Sequence, residues 1–255
     1  MSRRPPSRHR IAWITGAGKG LGRSLALELA ARGVTVAASA RSEEDLARLA
    51  AEDSRIHSYP LDVTQETAVQ AVRAAIEQDL GDIDLAVFNA GTHLPVQADH
   101  LTSAPFRTLM EVNLMGVVHG LAAVVPGFIA RRRGHVVVTA SVSGYRGLPT
   151  AAAYGATKAG LINLCEALKP DLERFGVMVS VVNPGFVRTP LTDKNDFPMP
   201  FLMEPDEAAR RMADGIEAGR FEIIFPTRMA LLMKMLALLP ASLFFALTRR
   251  MVRQS

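Results

Sequence analysis

Ile11-Ala-Trp-Ile-Thr15, then Gly16-Ala-Gly-Lys-Gly-Leu-Gly22, then the run on to Arg32 decide the fold. A short apolar run bounded by glycines reads as a buried strand. The turn after it holds four glycines, Gly16, Gly18, Gly20 and Gly22. Beyond the turn, Leu21, Leu25 and Leu29 recur on one helical face, and Gly33 stops the helix. Glycine lets a backbone turn this tightly and lie close to a pyrophosphate. The helix that follows offers free N–H groups and a positive dipole end. The spacing is Gly16-x-x-x-Gly20-x-Gly22 rather than the commoner G-x-G-x-x-G, and an ordinary tight turn is the alternative. Its place between a strand and an amphipathic helix points to a dinucleotide phosphate. Gly16, Gly18, Lys19, Gly20, Leu21 and Gly22 are the candidates for that contact.

Outward from this turn the pattern repeats. Val34–Ala38, Arg55–Leu61, Asp84–Asn89, His135–Thr139, Val177–Val182 and Glu222–Phe225 read as six further strands. Thr64 is placed to cap a helix whose Val69, Val72, Ile76 and Leu80 point inward. Helices are expected around 105–131 and 151–175. Apolar strands alternating with helices imply a parallel sheet covered on both faces. The expected fold is a Rossmann-like doubly wound α/β domain of about seven strands. With no linker between Ile11 and Pro226, 11–226 reads as one domain, between a basic tail (1–10) and an apolar, basic extension (227–255).

The 49% apolar share is ample for a core and excludes a disordered chain. The single cysteine, Cys165, excludes an internal disulfide framework and fits a reducing compartment. A catalytic thiol is one reading of it; a small buried hydrophobe among Leu161, Ile162, Leu164 and Leu168 is the better one. The net charge of +4 gathers at the ends, in Arg3, Arg4, Arg8 and Arg10 and in Arg249, Arg250 and Arg253. Short basic tails are commonly just solvated. No aromatic-interleaved basic stretch or metal-ligand spacing supports nucleic-acid or metal binding. The apolar run at Ile11 is too short for a leader, so a cytoplasmic location is expected.

An acid at the end of the second strand would hold the ribose hydroxyls of NAD. Ser39-Ala-Arg41 stands there instead. Arg41, joined by Lys19, can pair with a ribose 2′-phosphate, so NADP(H) is favoured over NAD(H); two solvated cations are the alternative. Tyr154-Gly-Ala-Thr-Lys158 puts a phenol and an ammonium on one helix face. A free tyrosine titrates at about 10. A neighbouring ammonium stabilises the phenolate, which suits proton transfer near neutrality. By itself, Tyr-x-x-x-Lys is a common chance pattern.

In order along the chain stand the Thr15–Gly22 turn, Asp62, Asn89-Ala-Gly91, Asn113, Ser141, Tyr154 with Lys158, and Pro184-Gly185 before Thr189. That joint order resembles the short-chain dehydrogenase/reductase family over most of the chain. The resemblance implies an NADP-dependent oxidoreductase that interconverts a carbonyl and a secondary alcohol. It makes Tyr154 the general acid or base and sets Lys158 on the nicotinamide ribose. Ser141, thirteen residues before Tyr154, would bind the substrate oxygen, with Ser143 as competitor. Asn113 would hold a water linking Lys158 to solvent. Asp62 and Val63 would meet adenine, and Asn89, Ala90 and Gly91 would support the cofactor. Pro184, Gly185, Val187 and Thr189 would contact the cofactor, with Thr189 on the nicotinamide carboxamide. A homodimer or homotetramer is also implied.

Several features sit less easily. Pro170 falls inside the helix of Tyr154 and Lys158, where a kink or break is expected. That helix commonly packs between subunits in the family, so the mode of assembly is open. Leu191, Phe197, Met199, Phe201, Leu202 and Met203, broken by Pro198 and Pro200, suggest an apolar pocket for a hydrophobic small-molecule substrate; a loop burying its own residues is the alternative. Other readings are a non-catalytic NADP-binding regulator or scaffold, or an isomerase or dehydratase on a related fold. Met229–Leu239 and Ala241–Leu247 are apolar except for Lys234, and Pro240 separates them. A membrane span needs about 20 apolar residues. Lys234 and Pro240 make two short helices the expectation. They either cover the pocket or a subunit interface, or lie on an anionic membrane through 228–253.

Overall fold

Strand β1 (Ile11–Thr15) occupies the middle of the sheet because every one of its side chains finds a covered face. Ala12 and Ile14 point to one layer and Trp13 to the other, all three fully buried. The Trp13 indole N–H is satisfied by Ser39 Oγ at 3.0 Å. The computed structural model describes residues 7–193 and 199–249. Arg3, Arg4, Phe197, Pro198, Arg250 and Arg253 lie outside the described residues.

The other strands are β2 (Thr35–Ser39), β3 (Ile56–Ser58), β4 (Leu85–Phe88), β5 (Gly134–Thr139), β6 (Val177–Pro184) and β7 (Glu222–Phe225). They form one seven-stranded sheet in the order β3-β2-β1-β4-β5-β6-β7, with every neighbouring pair parallel. The chain winds one way from β1 to β3 and the other way from β4 onward. Ligand crevices form at such reversals, outside the carboxyl ends of the strands. All seven expected strands are present, with ends shifted by a few residues.

Helices cover both faces. On one side α1 (Gly20–Ala31), α2 (Glu43–Ala50) and α7 (Pro205–Glu217) bury Leu25, Leu29, Leu46, Leu49, Met212 and Ile216. On the other, α3 (Glu66–Asp79), α5 (Gly116–Arg131) and α6 (Ala152–Glu173) bury Ile76, Phe128, Leu161 and Cys165. Cys165 is thus a core side chain, and burial pushes its thiol up to about 12. Two helices went unread in the sequence. Helix α2 starts at Ser42, whose Oγ accepts from Asp45 N–H, with three acids in its first turn. Helix α7 starts on Pro205.

Two local expectations are corrected. Thr64 does not cap α3, which begins at Gln65 without a side-chain cap. Thr64 instead donates N–H and O–H to Asp62 Oδ1, at 3.0 and 2.8 Å. Helix α6 runs unbroken through Pro170 to Glu173. Pro170 and Glu166 are both exposed, so water can meet the carbonyl the proline leaves unpaired, and only one turn follows. The expectation of helix around 105–131 holds: α4 (Ser103–Leu109), a π-helical turn (Met110–Met115) and α5 follow one another without a gap.

The run Ser103–Arg131 is long and apolar enough to cross a membrane, but half of its apolar window is buried against the sheet and neighbouring helices. Beyond β7 stand two short helices, α8 (Thr227–Leu238) and α9 (Ala241–Thr248), separated at Pro240. At the other end, residues 7–10 are held down. Ser7 N–H donates to Arg32 O, Arg8 N–H to a Glu217 carboxylate oxygen, and His9 is buried.

Candidate active site

The crevice begins where β1 and β4 end. A Cβ on Gly16, whose φ is +69°, would stand 2.7 Å from Ala90 Cα. Thr15 Oγ1 accepts from the N–H groups of Asn89 and Ala90, at 3.1 and 3.2 Å. Asn89 Nδ2 reaches back to the carbonyls of Thr15 and Gly16, both at 3.3 Å. The two loops therefore form one rigid floor. Helix α1 starts beside it with no side-chain cap and no acid in its first turn. Its free N–H groups and dipole suit an anion, which is what a dinucleotide pyrophosphate would require. Thr189 lies over the same turn, its Cγ2 2.9 Å from where a Gly20 Cβ would be. Val187 is buried, in a bridge to Met203, so its side chain belongs to the core. Gly185 packs against Pro226 and Met229.

Around the end of β2 the charges differ from expectation. Lys19 Nζ pairs with the buried Asp45 at 3.0 Å, and Arg48 pairs with the same carboxylate. These two cations hold Asp45 below its ordinary range, Lys19 most strongly. Arg41 is exposed and has no polar partner among the described residues. The sequence reading missed Asp45, although Ser42-Glu-Glu-Asp45 is a helix-start signal. Asp62 is engaged with Thr64, while Val63 packs against Gly116 and its carbonyl meets His119 Nδ1 at 3.0 Å.

Ser141, Tyr154, Lys158 and Asn113 meet at the carboxyl end of the sheet. Ser141 follows β5 and begins a short 3-10 turn, Val142–Gly144. Its Oγ lies 3.0 Å from Ser143 Oγ and accepts from Ser143 N–H at 3.1 Å. Both serines are therefore on one turn, and it is the Ser141 hydroxyl that acts on the ionisation of Tyr154. Lys158 is 3% exposed. Its Nζ donates to Thr139 O at 2.8 Å and sits 5.5 Å from the Tyr154 ring centroid. Burial pushes Lys158 down to about 8. Tyr154 is not lowered by its lysine in the protein alone. Burial raises it, and the Ser141 hydrogen bond acts in the opposite direction.

Asn113 is fully buried in the π-helical turn. Its Oδ1 accepts from Thr92 N–H at 2.7 Å, and its Nδ2 donates to Thr92 O at 2.9 Å and Thr157 Oγ1 at 3.2 Å. Both amide hydrogens are used, so a water would rest on backbone groups of the turn. A Cβ on Gly91 would lie 3.4 Å from Asn113 Oδ1 and 3.6 Å from Lys158 Nζ. The sequence reading missed His93, which meets the Tyr154 ring edge-to-face at 4.9 Å. Its signal was only proximity to Asn89-Ala-Gly91. In the apolar 190–203 segment, Met203 is core and Phe201 is 44% exposed with φ +60°.

Known proteins resemble this chain in sequence and in fold. Residues 10–198 match the family model described as short chain dehydrogenase. An uncharacterized oxidoreductase of Myxococcus xanthus is 41% identical over 247 residues, covering 95% of this chain and 98% of its own. The 3-oxoacyl-(acyl-carrier-protein) reductase FabG of Thermotoga maritima is 32% identical over 216 residues, covering 83% and 84%. A short-chain dehydrogenase from Streptomyces avermitilis superposes with a TM-score of 0.80 at 26% identity, covering 89% and 92%.

The pH dependence of Lys158 can be measured without a ligand. An unfolded chain keeps this proton to about 10.5 and the folded chain only to about 8. Between those values the unfolded state binds more protons, so stability rises with pH. Below pH 8 both states are charged, and the burial cost is fully present. Urea unfolding should therefore show wild type gaining on Lys158→Met between pH 8 and 10.5. The gain is on the order of 3 kcal/mol, from 1.36 kcal/mol per unit. Parallel pH curves for the two proteins would contradict a buried ammonium.

Proposed function

The chain belongs to the short-chain dehydrogenase family, whose members are nicotinamide-dependent oxidoreductases acting on CH–OH and C=O groups, and we propose that it reduces or oxidises a hydrophobic carbonyl–alcohol pair with NADP(H). The observation that carries the reading is the meeting of Ser141, Tyr154 and the buried Lys158 beside an uncapped glycine-turn helix.

The pyrophosphate would lie on the Gly16–Gly22 turn and the N-terminus of α1, and adenine near Asp62 and the Val63 backbone. Asn89, Ala90, Gly91, Pro184, Gly185 and Thr189 would enclose the rest. When bound, the nicotinamide supplies or accepts the hydride. Ser141 and Tyr154 both hydrogen-bond the substrate oxygen. Tyr154 donates its proton in reduction and takes one in oxidation. Burial disfavours the phenolate, so Tyr154 depends on the Lys158 ammonium and Ser141 to make that proton mobile. Lys158 spends one N–H on Thr139 O and keeps two, for ribose hydroxyls and for a water at the π-helical turn near Asn113.

NADP(H) is favoured because the buried Asp45 in this corner is already neutralised by Lys19 and Arg48, while Arg41 has no polar partner among the described residues. Arg41 would pair with the 2′-phosphate, and Lys19 would have to share itself with Asp45. Assembly as a homo-oligomer follows the family habit.

The apolar extension suits an anionic membrane surface. Leu231, Met235, Leu238, Leu243, Phe245 and Leu247 are exposed on α8 and α9, Leu238 by 86%. Residues 227–255 contain no acid, and Arg228 and Arg249 are exposed beside the apolar face. A second copy of so basic a segment would be repelled, whereas acidic headgroups would attract it. Lys234 contributes less, because it is paired with Glu222. An apolar substrate would then reach the site from the bilayer.

Tyr154→Phe should lower kcat by about 10²–10⁴-fold, the usual worth of an acid–base group, with NADPH affinity nearly unchanged. Near-normal turnover on an active ketone would remove Tyr154 from the mechanism. Arg41→Ala should cost roughly tenfold or more in NADPH affinity, for a lost charge-assisted bond of about 1.5–3 kcal/mol, and leave NADH unchanged. Titration of both cofactors checks this; equal wild-type affinities would sink the preference. Wild type should pellet with anionic vesicles at low salt and not with zwitterionic ones. The double variant Leu238→Gln/Phe245→Gln should stay in the supernatant, with its core residues Met229 and Met233 intact. Wild type left in the supernatant with both vesicles would refute the membrane reading.

A further inference from the structure

The turn that carries Ser141 has no slack on its α6 side. Gly144 N–H donates to Ser141 O at 2.9 Å. A Cβ on Gly144 would stand 2.8 Å from the Lys158 carbonyl carbon and 2.9 Å from the Ala159 backbone nitrogen. On its other side the turn rests on the apolar extension. Val142 is buried in one cluster with Met229 and Met233 of α8. Arg146 Nη1 donates to Ala237 O at 2.8 Å, and its guanidinium lies 4.4 Å from the Phe244 ring centroid on α9.

One carboxylate joins these parts. Glu222 opens β7, and its Oε1 accepts from the Tyr145 hydroxyl and, at 3.0 Å, from Asn183 Nδ2. Its Oε2 pairs with Lys234 of α8. Asn183 is fully buried in β6, so the carboxylate is anchored to the sheet. Burial works against the charge on Glu222, but hydrogen bonds from Lys234, Tyr145 and Asn183 outweigh it and hold the group below its ordinary range. An ionised carboxylate only accepts, and this one takes donors from the turn, from β6 and from α8. Such charge-assisted bonds are stronger than neutral ones. Tyr145 is the link to the catalytic turn, since its own N–H donates to Val142 O at 3.2 Å.

We propose that Glu222 is a positioning residue: through Tyr145 it clamps the turn bearing Ser141 to β6, β7 and α8, and so fixes the Ser141 hydroxyl beside Tyr154. The contact of Gly144 with α6 is backbone against backbone and resists only an inward shift. The clamp supplies the restraint in the outward direction. With Tyr145 released, the turn can move away from α6 and take Ser141 with it. A displacement of about 1 Å at a catalytic group can cost on the order of 10²-fold in rate. Lys234 and Arg146 both bridge the turn region and the apolar extension, so the extension becomes part of the support of the site.

The inference rests on the oxidoreductase reading, and the test separates the two. Amide exchange of Ser143, Gly144 and Tyr145 is followed by NMR, without substrate, in wild type, Tyr145→Phe, Glu222→Gln and Lys234→Arg. Ser143 N–H is bonded to Ser141 Oγ and reports on that hydroxyl directly. Tyr145→Phe removes only the link and leaves Glu222 paired with Lys234. Glu222→Gln keeps the shape but sets an amide donor against another donor, whichever way the amide turns. Lys234→Arg keeps the ion pair. The first two variants should speed exchange of the three amides about tenfold, equivalent to about 1.4 kcal/mol, and leave Leu161 of α6 unchanged. Lys234→Arg should match wild type. Unchanged exchange in Tyr145→Phe and Glu222→Gln overturns the proposal and leaves the oxidoreductase reading standing. NADPH oxidation is then measured with propiophenone and benzylacetone. Tyr145→Phe should lower kcat about tenfold and NADPH affinity less than twofold. In a Ser141→Ala background the hydroxyl to be positioned is gone, and Tyr145→Phe should lower kcat less than twofold. Equal losses in both backgrounds also overturn the proposal. Wild type inactive on both ketones overturns the oxidoreductase reading for this carbonyl class, while the exchange rates still decide whether Glu222 holds the Ser141 turn. Unfolding midpoints of the variants, expected within a few degrees of wild type, separate a local release from a folding loss.

Discussion

Gly22 has no room for a side chain. A Cβ there would stand 2.3 Å from Gly16 O and 2.5 Å from Asn89 Nδ2. This contact closes the end of β1 onto the end of β4, the two strands at which the winding reverses. The crevice exists because the backbone passes that close. Asn89 then bonds two carbonyls of the turn, and Thr15 Oγ1 accepts from the opposite loop. Every later element is set against this floor. Thr189 lies over Gly20, and Gly91 sits beside Asn113 and Lys158. A larger residue at Gly16 or Gly22 would disturb the site before reaching any group with chemistry of its own.

The second constraint is electrostatic. Lys158 is an ammonium only 3% exposed, held by one carbonyl and by no carboxylate among the described residues. Burying a charge in this way costs stability unless it is paired, so the position is held against the preference of the isolated fold. Perturbed groups of this kind gather at functional sites. Tyr154 is raised by the same burial. An ammonium beside a phenolate would lower the cost of each charge, which is what the proposed proton transfer at Tyr154 requires. Asn113 supports both sides, through Thr157 on the helix of Lys158 and Thr92 on the loop of His93.

What could be read from the sequence follows from locality. Strand β1, its turn and α1 are specified by neighbours in the chain, and β7 by four residues, so their positions emerged almost residue for residue. The Tyr154–Lys158 pair is one helical turn and was equally plain. Long-range pairings were not readable. Thr64 looked like a cap until Asp62 was seen to take its hydrogen bonds. Lys19 looked free until Asp45 of α2 faced it. His93 carried no local pattern, because its partner lies 61 positions away. Pro170 was expected to break α6, and exposure near the helix end made it harmless. Composition alone does show the apolar extension, and the structure adds which side is buried: Met229, Met233 and Phe244 inward, Leu238 and Phe245 outward.

The account stands or falls on hydride transfer at a carbonyl carbon. The direct measurement is product analysis after incubating the protein with a panel of hydrophobic ketones and NADPH carrying deuterium at the transferable position of the nicotinamide. Mass spectrometry should find alcohol with one deuterium on the carbinol carbon, formed in step with oxidised cofactor. Tightly bound NADPH that is never oxidised, or alcohol free of deuterium, would contradict the account.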